Sequence, residues 1–265
     1  MVYTVLTESF FQNYFKGGKI MIRVLIFNEF SHEQKHESIK AIYPSGMHGC
    51  IRNFLSTEDD ISVETVTLFN ENLEINDLES IITDEKLANT DVIMWWGHAH
   101  HGQVPDSVAR RVQYAVLGGM GAVFLHSGHH SKPFKLLMGT TCDVDWREDG
   151  DMCRVWVTDP SHPITQGINR YIKIDHEEMY CEPFGIPEPD KLLFVSWYDS
   201  GEVFRSGAIW RRGYGKVFYF QPGHETYPVY HNKDVQTVIK NGVRWAEPDY
   251  REPKLGCHHV KRIED

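Results

Sequence analysis

The first half of the chain alternates short apolar runs with longer segments of helical periodicity. Four strands are predicted there, at residues 22–28, 61–68, 91–96 and 121–125. Three of them are continuously apolar, as strands buried on both faces of a sheet are, whereas the second alternates apolar and polar residues. Helices are predicted between the strands, over residues 44–55 and from Pro105 to the glycines at 118–119. Strands that alternate with helices predict a doubly wound, mainly parallel α/β sheet.

The second half of the chain is richer in strand patterns than in helix patterns. Further strands are predicted at residues 152–157, 171–174, 192–197, 207–210 and 216–220. The last two flank a segment that contains two glycines, which is typical of a hairpin connection. A terminal helix is predicted after Asn232, a favoured N-cap residue, and its apolar positions continue to Trp245.

The chain carries no linker rich in Ser, Gly or Pro and no internal repeat. We therefore expect one α/β domain over residues 21–250, followed by a tail over residues 251–265. Residues 1–20 show no strand or helix pattern, and the first strand begins only after Met21. Two interpretations of this segment stay open: a non-native leader translated ahead of a start at Met21, or an N-terminal arm without regular structure.

Composition and charge argue against several partners. The 265 residues carry a formal net charge of -10, which offers no basic surface to nucleic acid or to an anionic membrane. Five scattered cysteines without a CxxC pair indicate a reduced, cytoplasmic protein. No apolar run approaches the ~18 residues of a membrane span, and the N-terminus has no signal-peptide pattern.

Histidines are concentrated just after the predicted strands. Eight of the fifteen histidines follow strand ends, far more than an even distribution would place there: His32, His98, His100, His101, His126, His129, His130 and His224. Ligands of open parallel sheets bind beyond the carboxyl ends of the strands, so these side chains are expected at one edge of the sheet. Imidazole can ligate zinc, act as a general base or hydrogen-bond a hydroxyl-rich ligand.

These histidines admit three interpretations. In the first, they form a site for zinc or another divalent metal, with the candidate ligands His98, His126, His224 and Glu178. In the second, neutral imidazoles catalyse or hydrogen-bond the ligand without a metal, and in the third most of them have no role in a site. Trp96, or its neighbour Trp95, is the candidate for stacking on a sugar face.

The remaining motifs carry less chemistry. The glycine-rich residues 118–121 lie between a helix and a strand, the reverse of a dinucleotide fingerprint, so no nucleotide cofactor is expected. Ser127 is a weak candidate nucleophile, because no G-x-S-x-G elbow surrounds it. The acidic residues 175–178 follow a predicted strand end, where a solvated turn is the simpler interpretation for all of them except Glu178.

Several segments together resemble the trehalose-utilisation (ThuA-like) family. They are residues 22–28, 96–97, 121–128 (GAVFLHSG), 162–165, 178–180 and 215–225 (GKVFYFQPGHE). The similarity runs from about Met21 to Glu247, and the order and spacing of these short motifs make it specific. The resemblance implies the class I glutamine amidotransferase-like fold, a flavodoxin-like and mainly parallel sheet with helices on both faces, here with a β-rich second half.

The chain departs from the true amidotransferases at their nucleophile. Their segment G-x-C-x-G-H resembles residues 125–129 (LHSGH), which place His126 where the cysteine would stand, and their late F-H-P-E segment resembles residues 220–225 (FQPGHE). We expect the site to keep its location in the fold. The expected catalytic residues are His126, His224, Glu178 and His98. The expected ligand-binding residues are Trp96, Asn28, Ser127 and Glu225.

The family's link to trehalose implies a small-molecule carbohydrate as substrate: trehalose, a related disaccharide or its 3-keto derivative. It also implies a partner, an NAD-dependent sugar oxidoreductase that produces 3-keto sugars. Hydrogens beside such a carbonyl are acidic, so a histidine base with a metal or histidine electrophile would promote enolisation, isomerisation or elimination. Two alternatives stay open, a non-catalytic sugar-binding or regulatory protein and a metal-dependent hydrolase of another small substrate, as does assembly into a homo-oligomer.

The histidine at position 126 predicts that the protein has no glutaminase activity, because there is no thiolate to attack the amide of glutamine. Purified protein incubated with glutamine should release no ammonia above the blank in a coupled glutamate dehydrogenase assay, with a true amidotransferase as the positive control. Ammonia released by a clean preparation would contradict the assignment of His126 to the nucleophile position.

Overall fold

A nine-stranded sheet forms the centre of the molecule, and helices pack against it. The structure, a computed structural model, describes residues 15–16, 19–252 and 254–264. Its strands are β1 (Phe15–Lys16), β2 (Lys19–Ile20), β3 (Ile22–Asn28), β4 (Ile61–Thr67), β5 (Val92–Trp96), β6 (Gly121–Leu125), β7 (Asp145–Val157), β8 (Tyr171–Cys181), β9 (Lys191–Tyr198), β10 (Val203–Arg212) and β11 (Gly215–Phe220). Its α-helices are α1 (His32–Lys35), α2 (Glu37–Ile42), α3 (Gly46–Leu55), α4 (Leu78–Ile81), α5 (Asp84–Ala88), α6 (Asp106–Leu117), α7 (Lys132–Met138) and α8 (Lys233–Ala246). Single 3₁₀ turns lie at His101–Gln103, His126–His130, Pro163–Thr165 and Val229–His231.

Five strands form a parallel half of the sheet. Their order is β4-β3-β5-β6-β11, and every neighbouring pair in this run is parallel. In chain order this half reads 2-1-3-4-5, which is the order of the flavodoxin-like fold. The predicted fold class is therefore confirmed. Helices cover both faces of β3, β5 and β6, which explains why their sequences are almost continuously apolar.

Four antiparallel strands extend the sheet beyond β11, in the order β10-β9-β7-β8. The hairpin between β10 and β11 contains Gly213 at φ +58°, where an added Cβ would lie 2.4 Å from the Leu117 carbonyl oxygen. Only glycine fits such a close approach with a positive φ. The predicted β-rich second half is confirmed.

The acidic residues 175–178 lie within a strand and not in a solvated turn. β8 continues past the predicted end at residue 174, and β7 begins before the predicted start at residue 152. The register between these strands shifts twice, so β-bulges allow the polar residues to continue the ladder. Glu177 and Glu178 are both buried there, which corrects the turn assignment of Glu177 and places Glu178 in mid-strand.

The terminal helix α8 packs on the parallel half of the sheet as its apolar pattern predicts. Asn232 caps it by accepting the backbone N–H of Asp234 at 2.9 Å. Its buried aliphatic side chains are Val235, Val238, Ile239 and Val243. Each fully buried side chain of this kind contributes roughly 1.5–3 kcal/mol, so packing outweighs the cap in holding the helix.

The two ends of the chain differ in what can be described. Of the segment predicted as a leader, residues 1–14 and 17–18 lie outside the described residues, and β1 pairs with β2 in antiparallel fashion. The described part of the tail has no helix or strand, and Arg251 donates to the Leu87 carbonyl at 3.4 Å. Within the described ranges, none of the helices combines the length and the apolar character that crossing a membrane requires.

Candidate functional site

Four side chains from separate elements meet at the carboxyl edge of the parallel strands. His98 follows β5, His126 follows β6, His224 follows β11, and Glu178 reaches the same point from β8. Each offers one potential ligand atom, and these atoms lie within 4.8 Å of one another. The structure thus brings together all four residues that the sequence nominates as catalytic and metal-binding.

His126 occupies a strained position immediately after β6. Its φ of +50° is unusual for a residue with a side chain, and it begins a 3₁₀ turn at the strand end. Strand, sharp turn and helix in this order are also the setting of a nucleophile elbow. The fully buried ring places Nδ1 3.3 Å from the Gln221 carbonyl oxygen and Nε2 3.2 Å from a Glu178 carboxylate oxygen.

The charge on His126 is coupled to Glu178. Burial disfavours the imidazolium, but the Glu178 carboxylate, together with the charges of Glu177 and Glu225, outweighs burial and raises the pKa of His126. For Glu178 burial favours the neutral acid, yet His126 lowers the pKa of the carboxyl. Because Nδ1 faces a carbonyl and must carry a proton, a neutral His126 would leave Nε2 as an acceptor.

Unsatisfied buried atoms are concentrated in this cluster. They include Nε2 of His126 and a Glu178 carboxylate oxygen, which lie 3.2 Å apart, and Nε2 of His224 and a Glu225 carboxylate oxygen, which lie 3.8 Å apart. Each pair is an ionic contact without hydrogen-bond geometry, so these buried atoms keep an electrostatic partner but lack a hydrogen bond. Their convergence is the feature expected of a site that holds a ligand.

His224 differs from His126 in its tautomer. Its Nδ1 accepts the backbone N–H of Thr226 at 3.2 Å, and burial lowers the pKa of the ring to about 4. The neutral ring therefore carries its proton on Nε2. His224 faces the cluster as a hydrogen-bond donor, whereas neutral His126 would face it as an acceptor.

A chain of hydroxyl groups connects the cluster to a neighbouring cavity. Nδ1 of His98 lies 3.2 Å from the Ser127 hydroxyl, which lies 2.6 Å from the Tyr180 hydroxyl. All three border a cavity of about 330 Å³, and so does Glu178. Burial lowers the pKa of His98. Ser127, the weak candidate nucleophile in the sequence, is thus a hydrogen-bonding partner of Tyr180 and His98.

Glu225 joins a second histidine to the cluster. Its carboxylate forms an ion pair with His32 and lies 3.8 Å from Nε2 of His98 and 3.8 Å from Nε2 of His224. Burial favours the neutral acid, but the hydrogen bond with His32 and the neighbouring histidines outweigh it and lower the pKa of Glu225. The same hydrogen bond raises the pKa of His32. His32, His98 and Glu225 form a second group with the composition of a metal site.

Two of the residues nominated for ligand binding lie beneath the cavity. Trp96 is 1% exposed and donates its Nε1–H to the Gly223 carbonyl at 3.1 Å, while Trp95 is buried and stacks on Phe27. Asn28 is fully buried, and its amide donates to Glu33 at 2.7 Å. Trp95 and Trp96 are too deeply buried for a sugar ring to stack on them. Together with Asn28, they pack in the interior next to the loops that carry the site.

Two glutamates that the sequence does not nominate position the loops of the site. Glu177 accepts the backbone N–H groups of Gly223 at 2.8 Å and His224 at 3.2 Å, and burial raises its pKa to about 7. Glu29 accepts the N–H groups of Ala99 and His100, each at 2.9 Å. The only sequence signal for them is that both acids lie in segments already rich in candidates.

Several buried carboxyl groups lie at the carboxyl edge of the sheet, in and around the cluster. Five glutamates near the carboxyl edge are buried: Glu29, Glu33, Glu177, Glu178 and Glu225. No lysine or arginine is buried among the residues that the structure describes. A second, larger groove of about 760 Å³ lies beside β3 and β4. None of the cluster residues lines it, so we do not assign the candidate site to this groove.

The fold is that of a glutamine amidotransferase-like α/β protein, with His126 in the turn after β6. The family model for trehalose utilisation (ThuA) matches residues 23–246, and the chain belongs to that family. No curated protein matches the chain in sequence.

Solved structures are similar in fold. A protein described as ThuA-like from Parabacteroides merdae aligns with a TM-score of 0.60 and 15% identity over 88% of this chain and 93% of its own. A protein described as cytoplasmic from Salmonella typhimurium aligns with a TM-score of 0.54 and 14% identity, over 85% and 99% of the two chains. A glutamine amidotransferase from Thermotoga maritima aligns with a TM-score of 0.50 and 10% identity, over 85% and 97%. At these identities the likeness shows the fold alone.

Replacing Glu177 by glutamine should destabilise the site loops. The amide nitrogen of glutamine is a donor and cannot accept one of the N–H groups that the carboxylate now satisfies, so the free energy of unfolding should fall by about 1–3 kcal/mol. Urea unfolding followed by circular dichroism measures this loss. The exposed Glu71→Gln is the matched control, and equal stability of the two variants would show that Glu177 does not hold the loop.

Proposed function

We propose that this chain is a carbohydrate-processing enzyme that acts on trehalose, a related disaccharide or its 3-keto derivative, with a divalent cation of the zinc type at the histidine cluster. The observation that carries the proposal is the convergence of potential ligand atoms from His98, His126, Glu178 and His224 within 4.8 Å of one another, beside a cavity that His98 and Glu178 border. The family contributes the substrate class, because its description is trehalose utilisation.

The donor set suits a catalytic cation. Tetrahedral zinc with bonds of ~2.0–2.2 Å places its ligand atoms about 3.2–3.6 Å apart, and the His126 Nε2–Glu178 pair is 3.2 Å apart. Two protein ligands are thereby supplied, and His98 is the third. Three protein ligands leave a position open toward the cavity, as in other catalytic zinc sites.

His224, the fourth nominated ligand, has a different role in this proposal. Metal binding at Nε2 would require a proton on Nδ1, and that proton would oppose the Thr226 N–H that Nδ1 now accepts at 3.2 Å. His224 therefore keeps its proton on Nε2 and lies beside the cation site without being a ligand. A cation held by His126, Glu178 and His98 would provide the electrophile.

The proposed chemistry begins at the carbonyl of a 3-keto sugar. A base removes the acidic hydrogen at C2, and the electron pair moves onto the carbonyl oxygen. A cation held by His126, Glu178 and His98 would supply electrostatic stabilisation for the charge that develops there. Collapse of this enolate breaks the bond between C1 and the glycosidic oxygen, and the second sugar leaves with a proton. Elimination of this kind needs no external oxidant, because the ketone is already in the substrate.

His129 is the proposed base. Its Nδ1 lies 2.7 Å from the Cys142 carbonyl oxygen and must carry the ring proton, so Nε2 is the acceptor, and the ring borders the cavity. Burial lowers its pKa to about 3, so the ring is neutral at pH 7 and its Nε2 carries no proton before the substrate binds. The sequence nominates His129 only as one of the strand-end histidines.

The biological setting follows from the substrate. An NAD-dependent sugar oxidoreductase is the proposed partner, because oxidation of a 3-hydroxyl by NAD⁺ yields the ketone that this site would consume. We place the protein in the cytoplasm, where NAD⁺ is present and where its five free cysteines would stay reduced.

The metal is tested by elemental analysis of the purified protein. We expect about one divalent cation per chain, and His126→Gln or Glu178→Gln should lower the content at least about 10-fold while circular dichroism stays unchanged. His224→Gln should retain the metal, and the exposed His258→Gln is the matched control. Unchanged metal content in His126→Gln and Glu178→Gln, or full activity in chelator, would overturn the cation site.

The reaction is tested by turnover of 3-keto-trehalose, followed by release of free glucose. Wild-type protein should cleave the keto sugar but not trehalose, since only the ketone acidifies C2. His129→Gln should keep its metal and lose at least about 100-fold in kcat, the usual range for loss of a general base. Binding without turnover would instead identify a sugar-binding or regulatory protein, and a metal-loaded protein that ignores all sugars would favour a hydrolase of another small substrate.

A further inference from the structure

Trp146 differs from the tryptophans of the core. It is 64% exposed, whereas Trp95, Trp96 and Trp210 are buried. It lies in β7 directly opposite Tyr180 of β8 and borders the cavity of about 330 Å³ beside the histidine cluster. A single exposed apolar side chain is ordinary on a protein surface, but an indole at the mouth of a polar cavity is a recurring feature of ligand sites.

Pairing with β8 and the ion pairs of the neighbouring Arg147 hold the backbone at Trp146 in place. The backbone pairs with β8 at this position, and the neighbouring Arg147 donates to Asp151 and to Glu202, each at 3.0 Å. The indole is therefore attached to a backbone that is fixed by strand pairing and by hydrogen bonds. A side chain on such a backbone loses little conformational freedom when a ligand covers it.

The rest of the cavity is polar. The hydroxyls of Ser127 and Tyr180 border it on the side of the cluster, and at the rim the ring of His130 lies 3.1 Å from the Asp143 carboxylate. A pyranose ring has the complementary surfaces, with an apolar C–H face and hydroxyl groups around its edge. An indole covers such a face, and hydroxyls or a carboxylate bond the edge.

We infer that Trp146 is the platform on which a pyranose ring of the substrate stacks. This inference rests on the proposed carbohydrate function, and it adds the residue that recognises the sugar. Trp146 replaces Trp96 and Trp95 as the stacking residue. It binds the sugar and takes no part in proton transfer.

The experiment measures the dissociation constants of trehalose and 3-keto-trehalose by titration calorimetry. Trp146→Ala should weaken binding of the neutral sugars about 10-fold to 100-fold, and Trp146→Phe should restore most of it. Trp156→Ala is the matched control, because Trp156 is also an exposed tryptophan of β7 but packs on Tyr171 away from the cavity. In turnover assays Trp146→Ala should raise KM with little change in kcat, and it should retain its metal.

The outcomes separate this inference from the proposed function. Neutral sugars that bind wild type and Trp146→Ala equally would overturn the platform and leave the carbohydrate function in place. Wild-type protein that binds neither sugar would overturn both the inference and the carbohydrate function.

Discussion

Buried carboxylates that accept backbone N–H groups hold together the edge of the sheet on which the site is built. Glu29, at the end of β3, bonds the loop after β5, and Glu177, in β8, bonds the loop after β11. The positions of His98 and His224 depend on these four bonds, because each histidine lies in one of the bonded loops. Without the acceptors, these N–H groups would lose their partners, at about 1–3 kcal/mol for each one that is buried. Loop geometry at this site is thus set from inside the protein.

The buried carboxylates at this edge of the sheet also need positive charge to compensate them. Several negative groups lie within one buried cluster, and no buried lysine or arginine compensates them in the described part of the chain. Protons on histidines can do so, which is why the Glu178 carboxylate raises the pKa of His126 and Glu225 raises that of His32. A divalent cation would compensate the charge equally well, since it would take the Nε2 position that the proton otherwise holds. A proton and a bound cation would therefore compete for Nε2 of His126, and either would compensate the Glu178 carboxylate.

Much of the parallel half could be predicted, because strands that are buried on both faces carry continuous apolar runs. His98, His126 and His224 could be placed together for the same reason, since the ends of parallel strands meet at one edge. The short helices α1, α2, α4, α5 and α7 have too few residues to show a helical period. The inward positions of Glu177 and Glu178 depend on β-bulges between β7 and β8, which depend on pairing between distant residues.

Trp146 shows the same limit for a single side chain. Seven tryptophans in one chain suggest a large core, and the two next to a strand-end histidine were the natural candidates for a sugar platform. Their strand, β5, is central in the sheet and buries both. Trp146 of β7 reaches the cavity only because the antiparallel strands extend the sheet beyond β11. The pattern of apolar and polar residues within β7 does not predict this arrangement.

The position of His126 explains how one fold can keep a site while its chemistry changes. In a glutamine amidotransferase-like fold the turn after this strand exposes a nucleophile under backbone strain, and here the same turn holds a histidine at φ +50°. A thiolate at that position would need access to a carbonyl carbon, but the His126 ring is fully buried and directs its atoms to Gln221 and Glu178. The strained turn therefore directs the His126 ring into the protein. The groups that border the cavity include His98, Ser127, His129 and Tyr180, so a ligand in the cavity would contact these side chains and not His126.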